Sequence, residues 1–271
     1  MKFDINKIEE LIDKAKSHYK LKMDLKLSIK DRKQDYMKNF PIASFDSYTN
    51  ELFICPSKMN KEVMNNFDWL IFHEIGHAKE TEDLNQIKFF NAIYNLDGIN
   101  IQPIKKDRIR NLLNEFNDLG IDKYLYEKSN LKIPYFLIRH SINNINKCKK
   151  FPETSKILPM LHFISYYDYV EHGIFNYQSE SDYLIKMIEN CPDYQQLIKL
   201  LNNNKFNDLE IKTNTFPTIF NHLVAHLMDK KYRLKIINLK CADICSICKE
   251  PDYILKIDDN NSIWTTFKLE I

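Results

Sequence analysis

The sequence predicts an α+β protein that is predominantly helical, with a small N-terminal sheet and a helical C-terminal region ending in a β-hairpin. Three observations support this fold class. Apolar residues recur at helical spacing over 4–19, 61–81 and 104–128. Short alternating apolar and polar runs occur before residue 55 and after residue 250. Only 4 of the 271 residues are glycine, which excludes the glycine-rich phosphate loops of P-loop and Rossmann nucleotide-binding folds.

The N-terminal half carries the clearest signals for individual elements. Residues 4–19 predict an amphipathic helix, and the alternating run over 25–29 predicts a half-buried strand. Two extended runs, IASF and ELFI, flank a polar turn, and ELFI (Glu51–Ile54) is the candidate edge strand beside the next helix. Asn60 suits the N-cap of one long helix over 61–81, whose apolar centre FDWLIFHEIGH predicts burial. A second strong helix is expected over about 104–128.

The C-terminal half is helix-like from Pro134 to about residue 235. Breaks are expected near Pro152, Pro159, Gly173, Pro192 and Pro217. The runs YILKID and SIWTTFKLEI around DNN predict a terminal β-hairpin. We therefore expect two domains, over 1–130 and 131–271.

Composition limits the classes of partner. The net charge is +2 and gives no case for nucleic-acid binding. No stretch approaches the roughly 18 apolar residues of a membrane span, and the acidic start MKFDINKIEELIDK does not resemble a signal peptide. These observations predict a cytoplasmic protein whose six cysteines are reduced.

Residues 73–77 read His73-Glu74-Ile75-Gly76-His77 and form an HExxH motif. On a helix, residues i and i+4 lie on one face, so His73 and His77 can bind one metal ion. Zinc lowers the pKa of a bound water to about 7, and Glu74 can take its proton as general base. A chain of this composition should contain only about 0.01 such motifs by chance. The alternative is two packed core histidines beside an incidental glutamate.

A second pair, His222 and His226, has the same spacing without a glutamate and is interpreted as an ordinary helix face. For the third metal ligand, Asp83 stands at the position that metzincins use. Metzincins need glycine three residues after the second histidine, and this chain has Glu80 there. The other candidates are acids of the second predicted helix, at 115, 118 and 122, whose spacing places them on one stripe. A solvated helix face is the alternative interpretation of that stripe.

HEIGH followed by an acid-bearing helix resembles the gluzincins, zinc metallopeptidases whose third ligand is an acid on a second helix. The resemblance covers residues 1–130 and implies a compact zincin-like catalytic domain whose small sheet packs on the HExxH helix and the acid helix. In that group, a further carboxylate four residues after the ligand often supports a zinc-binding histidine. Asp118 and Asp122 have that spacing, which implies Asp118 as ligand and Asp122 as the partner of a histidine. Glu115 stays the alternative ligand, although Leu119 occupies its partner position.

Three cysteines near the C-terminus, Cys241, Cys245 and Cys248, are close enough in sequence to suggest a second, structural Zn²⁺. Taken literally the spacing is the CxxxCxxC of radical-SAM enzymes, but that motif occurs early in a barrel. Cys191, Cys148 or a histidine could supply the fourth ligand. Three reduced thiols under a small hairpin are the remaining alternative.

The leading functional hypothesis is a zinc metallopeptidase that hydrolyses a peptide or protein substrate with Glu74 as general base. A substrate could add to the edge strand as an extra β-strand. The oxyanion donor stays open among Tyr124, Tyr135, His140, His162 and His172. The alternative is a non-catalytic, zinc-stabilised binding or regulatory protein. Residues 131–240 could cap the cleft or keep the enzyme latent.

Glycine inside a helix costs about 1 kcal/mol relative to alanine. Gly76 lies within HEIGH and Gly120 lies two residues after Asp118. These positions predict a close approach of the two helices around a metal ion.

Overall fold

The computed structural model describes residues 4–29, 42–94, 103–131, 134, 136–137, 192–227, 233–238, 253–258 and 263–266. This part of the chain is mixed α+β and mostly helical, which confirms the predicted fold class at this level. The chain forms two compact units. Unit 1 is Met1–Leu84 with Ile121–Phe136, and unit 2 is Asn85–Gly120 with Leu137–Ile271. The division into 1–130 and 131–271 stays a prediction, because much of 131–271 lies outside the described residues.

Unit 1 holds most of the elements that the sequence predicts. They are α1 (Ile5–Tyr19), β1 (Lys26–Ile29), β2 (Ala43–Asp46), β3 (Glu51–Ile54), a 3-10 turn (Pro56–Lys58), α2 (Lys61–Met64), α3 (Phe67–Thr81) and the end of α5 (Pro103–Ser129). The helix over 4–19 and the three N-terminal strands are therefore confirmed. Helix α1 buries one stripe that includes Ile8, Ile12 and Ala15, and both α1 and β2 pack against α3.

The sheet of unit 1 has the strand order β1-β3-β2. Strand β3 pairs in parallel with β1 and antiparallel with β2. The prediction that Glu51–Ile54 is an edge strand is therefore wrong. Leu52, Phe53 and Ile54 are all buried, as suits a central strand. The described edges of this sheet are β1 and β2, and β2 packs against α3.

The predicted long helix over 61–81 is divided into α2 and α3. Asn60 is the N-cap as predicted, since its Oδ1 accepts the Val63 N–H at 2.9 Å. The prediction of one helix is wrong because Asn66 leaves helical geometry, with φ −123° and ψ 26°. Its side-chain amide donates to the Glu62 carbonyl oxygen at 2.8 Å. Such local side-chain bonds compete with the backbone ladder, and α3 restarts at Phe67.

Unit 2 contains most of α4 (Leu84–Tyr94), the first part of α5, α6 (Pro192–Asn202) and α7 (Leu209–Leu227). Phe216 packs edge-on against Phe89 and Phe116, with ring centroids 6.2 Å and 5.3 Å away. The break predicted near Pro217 is wrong, because α7 continues through it. Phe216 and Ile219 are fully buried on either side, and this tertiary packing outweighs the low helix propensity of proline.

Unit 2 also contains the sheet β4-β5-β6, formed by Arg233–Asn238, Tyr253–Asp258 and Ile263–Thr266. Strands β5 and β6 pair antiparallel over the two runs for which the sequence predicts a terminal hairpin. The helix-like pattern that the sequence predicts up to about residue 235 ends slightly earlier among the described residues, because β4 begins at Arg233 and pairs with β5. The alternation in RLKIIN suits that pairing. Among the described residues, no helix combines the length and apolar character that crossing a membrane requires.

Candidate metal centre

The HEIGH residues lie in the middle of α3. This helix is apolar on nearly all sides, which explains why it is buried over most of its length. The rings of His73 and His77 meet edge-on with centroids 5.0 Å apart. Trp69, one turn earlier, lies 4.8 Å from the His73 ring. One face of α3 therefore presents both histidines side by side, as their spacing predicts.

A buried carboxylate from α5 lies behind His73. Asp122 is 0% exposed, and its Oδ1 is 2.8 Å from Nδ1 of His73. An ionised carboxylate can only accept a hydrogen bond, so Nδ1 carries the proton and donates it. In this tautomer Nε2 carries the lone pair, which is the form in which it can bind a metal ion. The contact is of the kind that the gluzincin resemblance implies for Asp122.

A second buried carboxylate lies beside His77. Glu80 is 1% exposed, and its Oε2 is 3.7 Å from Nδ1 of His77. Both residues belong to α3 and are separated by three positions, which places them on one face. In the sequence, Glu80 stands out only because metzincins have glycine at this position. The i, i+3 spacing from the second histidine was the signal that could have identified it.

A third potential ligand comes from α5, one turn before Asp122. His73, His77 and Asp118 each offer one ligand atom, and these atoms lie within 4.8 Å of one another. His73 is buried, whereas His77 and Asp118 are half-buried. In the described part of the chain, neither Glu115 nor Asp83 belongs to this group. The structure thus brings together three of the predicted ligand candidates in a group that could hold a metal ion.

The donor set fits zinc chemistry. Two imidazoles and one carboxylate are the ligands of many catalytic zinc sites, and the fourth position is then left for water or substrate. Tetrahedral zinc with bonds of about 2.1 Å keeps its ligand atoms about 3.4 Å apart. Because the present atoms span up to 4.8 Å, binding would draw the side chains together by up to about 1.4 Å.

Glu74 is held by the edge strand β2. The Phe45 N–H donates to Oε2 of Glu74 at 2.9 Å. The sheet register explains this bond. The Cys55 N–H donates to the Ile42 carbonyl oxygen at 2.9 Å, so these two residues form a hydrogen-bonded pair between β3 and the start of β2. Along an antiparallel ladder, hydrogen-bonded and non-hydrogen-bonded pairs alternate. The N–H and C=O groups of Ala43 and Phe45 therefore point away from β3. Oε2 is thereby fixed on β2, and Oε1 is left for another partner.

Gly76 allows α3 and α5 to approach closely. A Cβ at this position would lie 2.7 Å from Cγ2 of Ile121 and 3.0 Å from the Tyr19 hydroxyl. The predicted close approach of the two helices is confirmed at Gly76, its connection with a metal ion stays a prediction, and the expectation for Gly120 is wrong. A Cβ at Gly120 would meet Nδ2 of Asn204 at 3.2 Å. The size of the residue at position 120 is therefore limited by Asn204, which lies between α6 and α7, and not by α3.

Two tyrosines stack next to these carboxylates. The rings of Tyr19 and Tyr124 have centroids 5.4 Å apart. Burial raises the pKa of the Tyr19 hydroxyl, and the charges of Tyr124, Asp122 and Glu80 raise it further. Tyr19 therefore stays protonated at physiological pH. Of the five oxyanion candidates, Tyr124 is placed in this stack, and Tyr135, His140, His162 and His172 lie outside the described residues.

Several other predicted sites also lie outside the described residues. They include Cys241, Cys245 and Cys248 of the proposed structural zinc, their candidate partners Cys148 and Cys191, and the side chains of His222 and His226. The sixth cysteine, Cys55, is buried as a free thiol. Comparison with known proteins adds no assignment: no family model, curated protein or solved structure matches the chain.

Proposed function

We propose that this protein is a zinc-dependent metallopeptidase. The observation that carries the proposal is one group of side chains, in which His73, His77 and Asp118 share a potential metal site and Glu74 directly follows the first histidine. This group is the donor set and the base that metal-assisted hydrolysis needs.

Each side chain has a separate task in the proposed reaction. His73, His77 and Asp118 would hold a zinc ion, which when bound would supply the Lewis acidity that activates water and polarises a substrate carbonyl. Glu74 takes the proton of the attacking water at Oε1 while Oε2 stays bonded to the Phe45 N–H. Asp122 orients His73 by accepting from Nδ1.

The substrate we propose is an extended peptide that pairs with β2. Strand β2 takes the place of β3 as the proposed docking strand, because both edges of β3 are paired within the sheet. The outward backbone groups of β2 belong to Ala43 and Phe45, but the Phe45 N–H is occupied by Glu74. A peptide is therefore expected to pair with the N–H and C=O of Ala43 and with the C=O of Phe45.

The composition of the group favours a catalytic over a structural metal. Structural zinc sites take four protein ligands, whereas the group found among the described residues has three. A non-catalytic, zinc-stabilised binding protein would need a fourth ligand. Chelation separates the two functions: loss of activity in a folded protein supports the enzyme, and cooperative unfolding supports a structural metal.

The direct test compares peptide hydrolysis by the zinc-loaded full-length protein with that of Glu74→Gln. A library of quenched fluorescent peptides serves as the substrate. Glu10→Gln, on the exposed face of α1, is the matched control. We expect Glu74→Gln to bind zinc and lose hydrolysis, while Glu10→Gln keeps both. Equal hydrolysis by wild type and Glu74→Gln would rule out the mechanism.

A further inference from the structure

Glu80 is a buried carboxylate that neither the ligand group nor the general base requires. It is 1% exposed, at the end of α3, and its Oε2 lies 3.7 Å from Nδ1 of His77. Burying a carboxylate is costly unless neighbouring groups compensate for the lost hydration. Its neighbours therefore indicate what it does.

Glu80 and Asp122 lie in matching positions behind the two histidines. Asp122 lies at Nδ1 of His73, and Glu80 lies at Nδ1 of His77. Both charges also contribute to raising the pKa of the buried Tyr19 hydroxyl. Each histidine thus has its own acid beside Nδ1.

We propose that Glu80 is a positioning residue for His77. Its carboxylate accepts the Nδ1 proton, fixes the tautomer and turns Nε2 towards the metal. The present distance of 3.7 Å is longer than a hydrogen bond, and the contact is expected to close to about 2.8 Å when the ligands draw together around an ion. The inference rests on the proposed metal site and extends it to a residue from the HEIGH helix itself.

The competing explanation is that Glu80 only stabilises the fold. Glu82, two residues later, provides a control for that role. Its carboxylate accepts from the backbone N–H groups of Lys22 and Met23 and from Lys79, and so ties the end of α3 to the segment before β1. Glu82→Gln perturbs the same end of the helix without touching either histidine.

The experiment measures zinc affinity in the full-length protein by competition with a chromophoric chelator. Glu80→Gln keeps the shape and one acceptor oxygen but loses the charge, whereas Glu80→Met loses both. We expect a loss of about 3- to 10-fold for Glu80→Gln and of about 10- to 100-fold for Glu80→Met. Glu82→Gln should bind zinc as wild type does.

Proton NMR of the Co²⁺-loaded protein gives a readout that a structural role would not change. Each ligating imidazole with a protected Nδ1–H should give one shifted signal that disappears in D₂O. Wild type should show two such signals, and Glu80→Met should lose the one from His77 through fast exchange with solvent. Retention of both signals with wild-type zinc affinity in both Glu80 variants would overturn the inference.

Three further outcomes have defined meanings. If Glu80→Met does not fold, Glu80→Gln decides alone, and an affinity within twofold of wild type overturns the inference. If the wild-type protein itself binds no zinc, the proposed function fails together with this inference. Zinc binding with unchanged affinity in the variants contradicts only the role of Glu80.

Discussion

Replacing Gly76 with alanine is expected to push α3 and α5 apart. The new Cβ would lie 2.7 Å from Cγ2 of Ile121. Non-bonded carbons are best separated by about 3.5–4.0 Å, so this contact must lengthen by about 0.8 Å. Overpacking costs about 1–3 kcal/mol, and the better helix propensity of alanine returns about 1 kcal/mol. The free energy of unfolding should therefore fall by up to about 2 kcal/mol.

The same displacement should weaken metal binding. His73 and His77 flank Gly76 on α3, and Asp122 directly follows Ile121 on α5. Metal sites tolerate distance errors of only about 0.2 Å, so a shift of about 0.8 Å should lower the affinity roughly tenfold or more.

Urea denaturation and chelator competition measure the two effects in wild type, Gly76→Ala, Ile121→Leu and the double variant. Leucine lacks the branch that carries Cγ2, so Ile121→Leu removes the closest contact. The double variant should recover part of both losses, with a coupling of at least about 0.5 kcal/mol in stability. Wild-type behaviour of Gly76→Ala, or strictly additive effects of the two substitutions, would show that the contact with Ile121 does not limit the approach of α3 and α5.

Four further predictions concern single contacts. Asp122→Asn removes the charge behind His73, and chelator competition should show zinc affinity lowered about 10- to 100-fold; an unchanged affinity would deny the contact a role. Phe45→Pro removes the N–H that holds Glu74, and Phe45 lies on an edge strand, where proline is tolerated, so peptide hydrolysis should fall. Phe45→Ala keeps the N–H and should stay active. Asn60→Ala should lower the urea-derived stability by about 1 kcal/mol without changing zinc affinity, because it removes only the cap of α2. Burial lowers the pKa of His18 from 6.5, so the folded state resists protonation and loses stability as the pH falls below that value. His18→Gln should lose less stability than wild type over the same range, and parallel pH profiles of stability for the two proteins would contradict this.

The sequence was sufficient to predict the elements that depend on local pattern. Helices α1 and α5 follow apolar periodicity, and the cap at Asn60 follows from local chemistry. The placement of His73 and His77 side by side also follows directly from helix geometry. For these features, the residues that determine the structure are neighbours in the chain.

Contacts between residues that are distant in the chain could not be predicted from the sequence pattern. Strand β3 is central because β1 and β2 pair with it on both sides. A run of four residues does not indicate how many strands will pair with it. The bond between Glu74 and Phe45 uses a backbone N–H, which every residue but proline offers, so residue identity gives no signal for it.

The acid helix was predictable in part. The spacing of Asp118 and Asp122 selected two acids that the structure places near the histidines, one in the ligand group and one at Nδ1 of His73. Gly120 was misinterpreted because a small residue shows that something approaches closely without showing which element does. Its neighbour is Asn204, which is 84 residues away in the chain (204 − 120).

The most direct test of the account is the location of the metal in crystals of the zinc-loaded, full-length protein, by anomalous diffraction at the zinc edge. We expect an anomalous peak about 2.0–2.2 Å from Nε2 of His73, Nε2 of His77 and a carboxylate oxygen of Asp118. The fourth position should carry no protein ligand and should lie within reach of Oε1 of Glu74. A peak bound by other residues alone, or closed by a fourth protein side chain at this site, would contradict it.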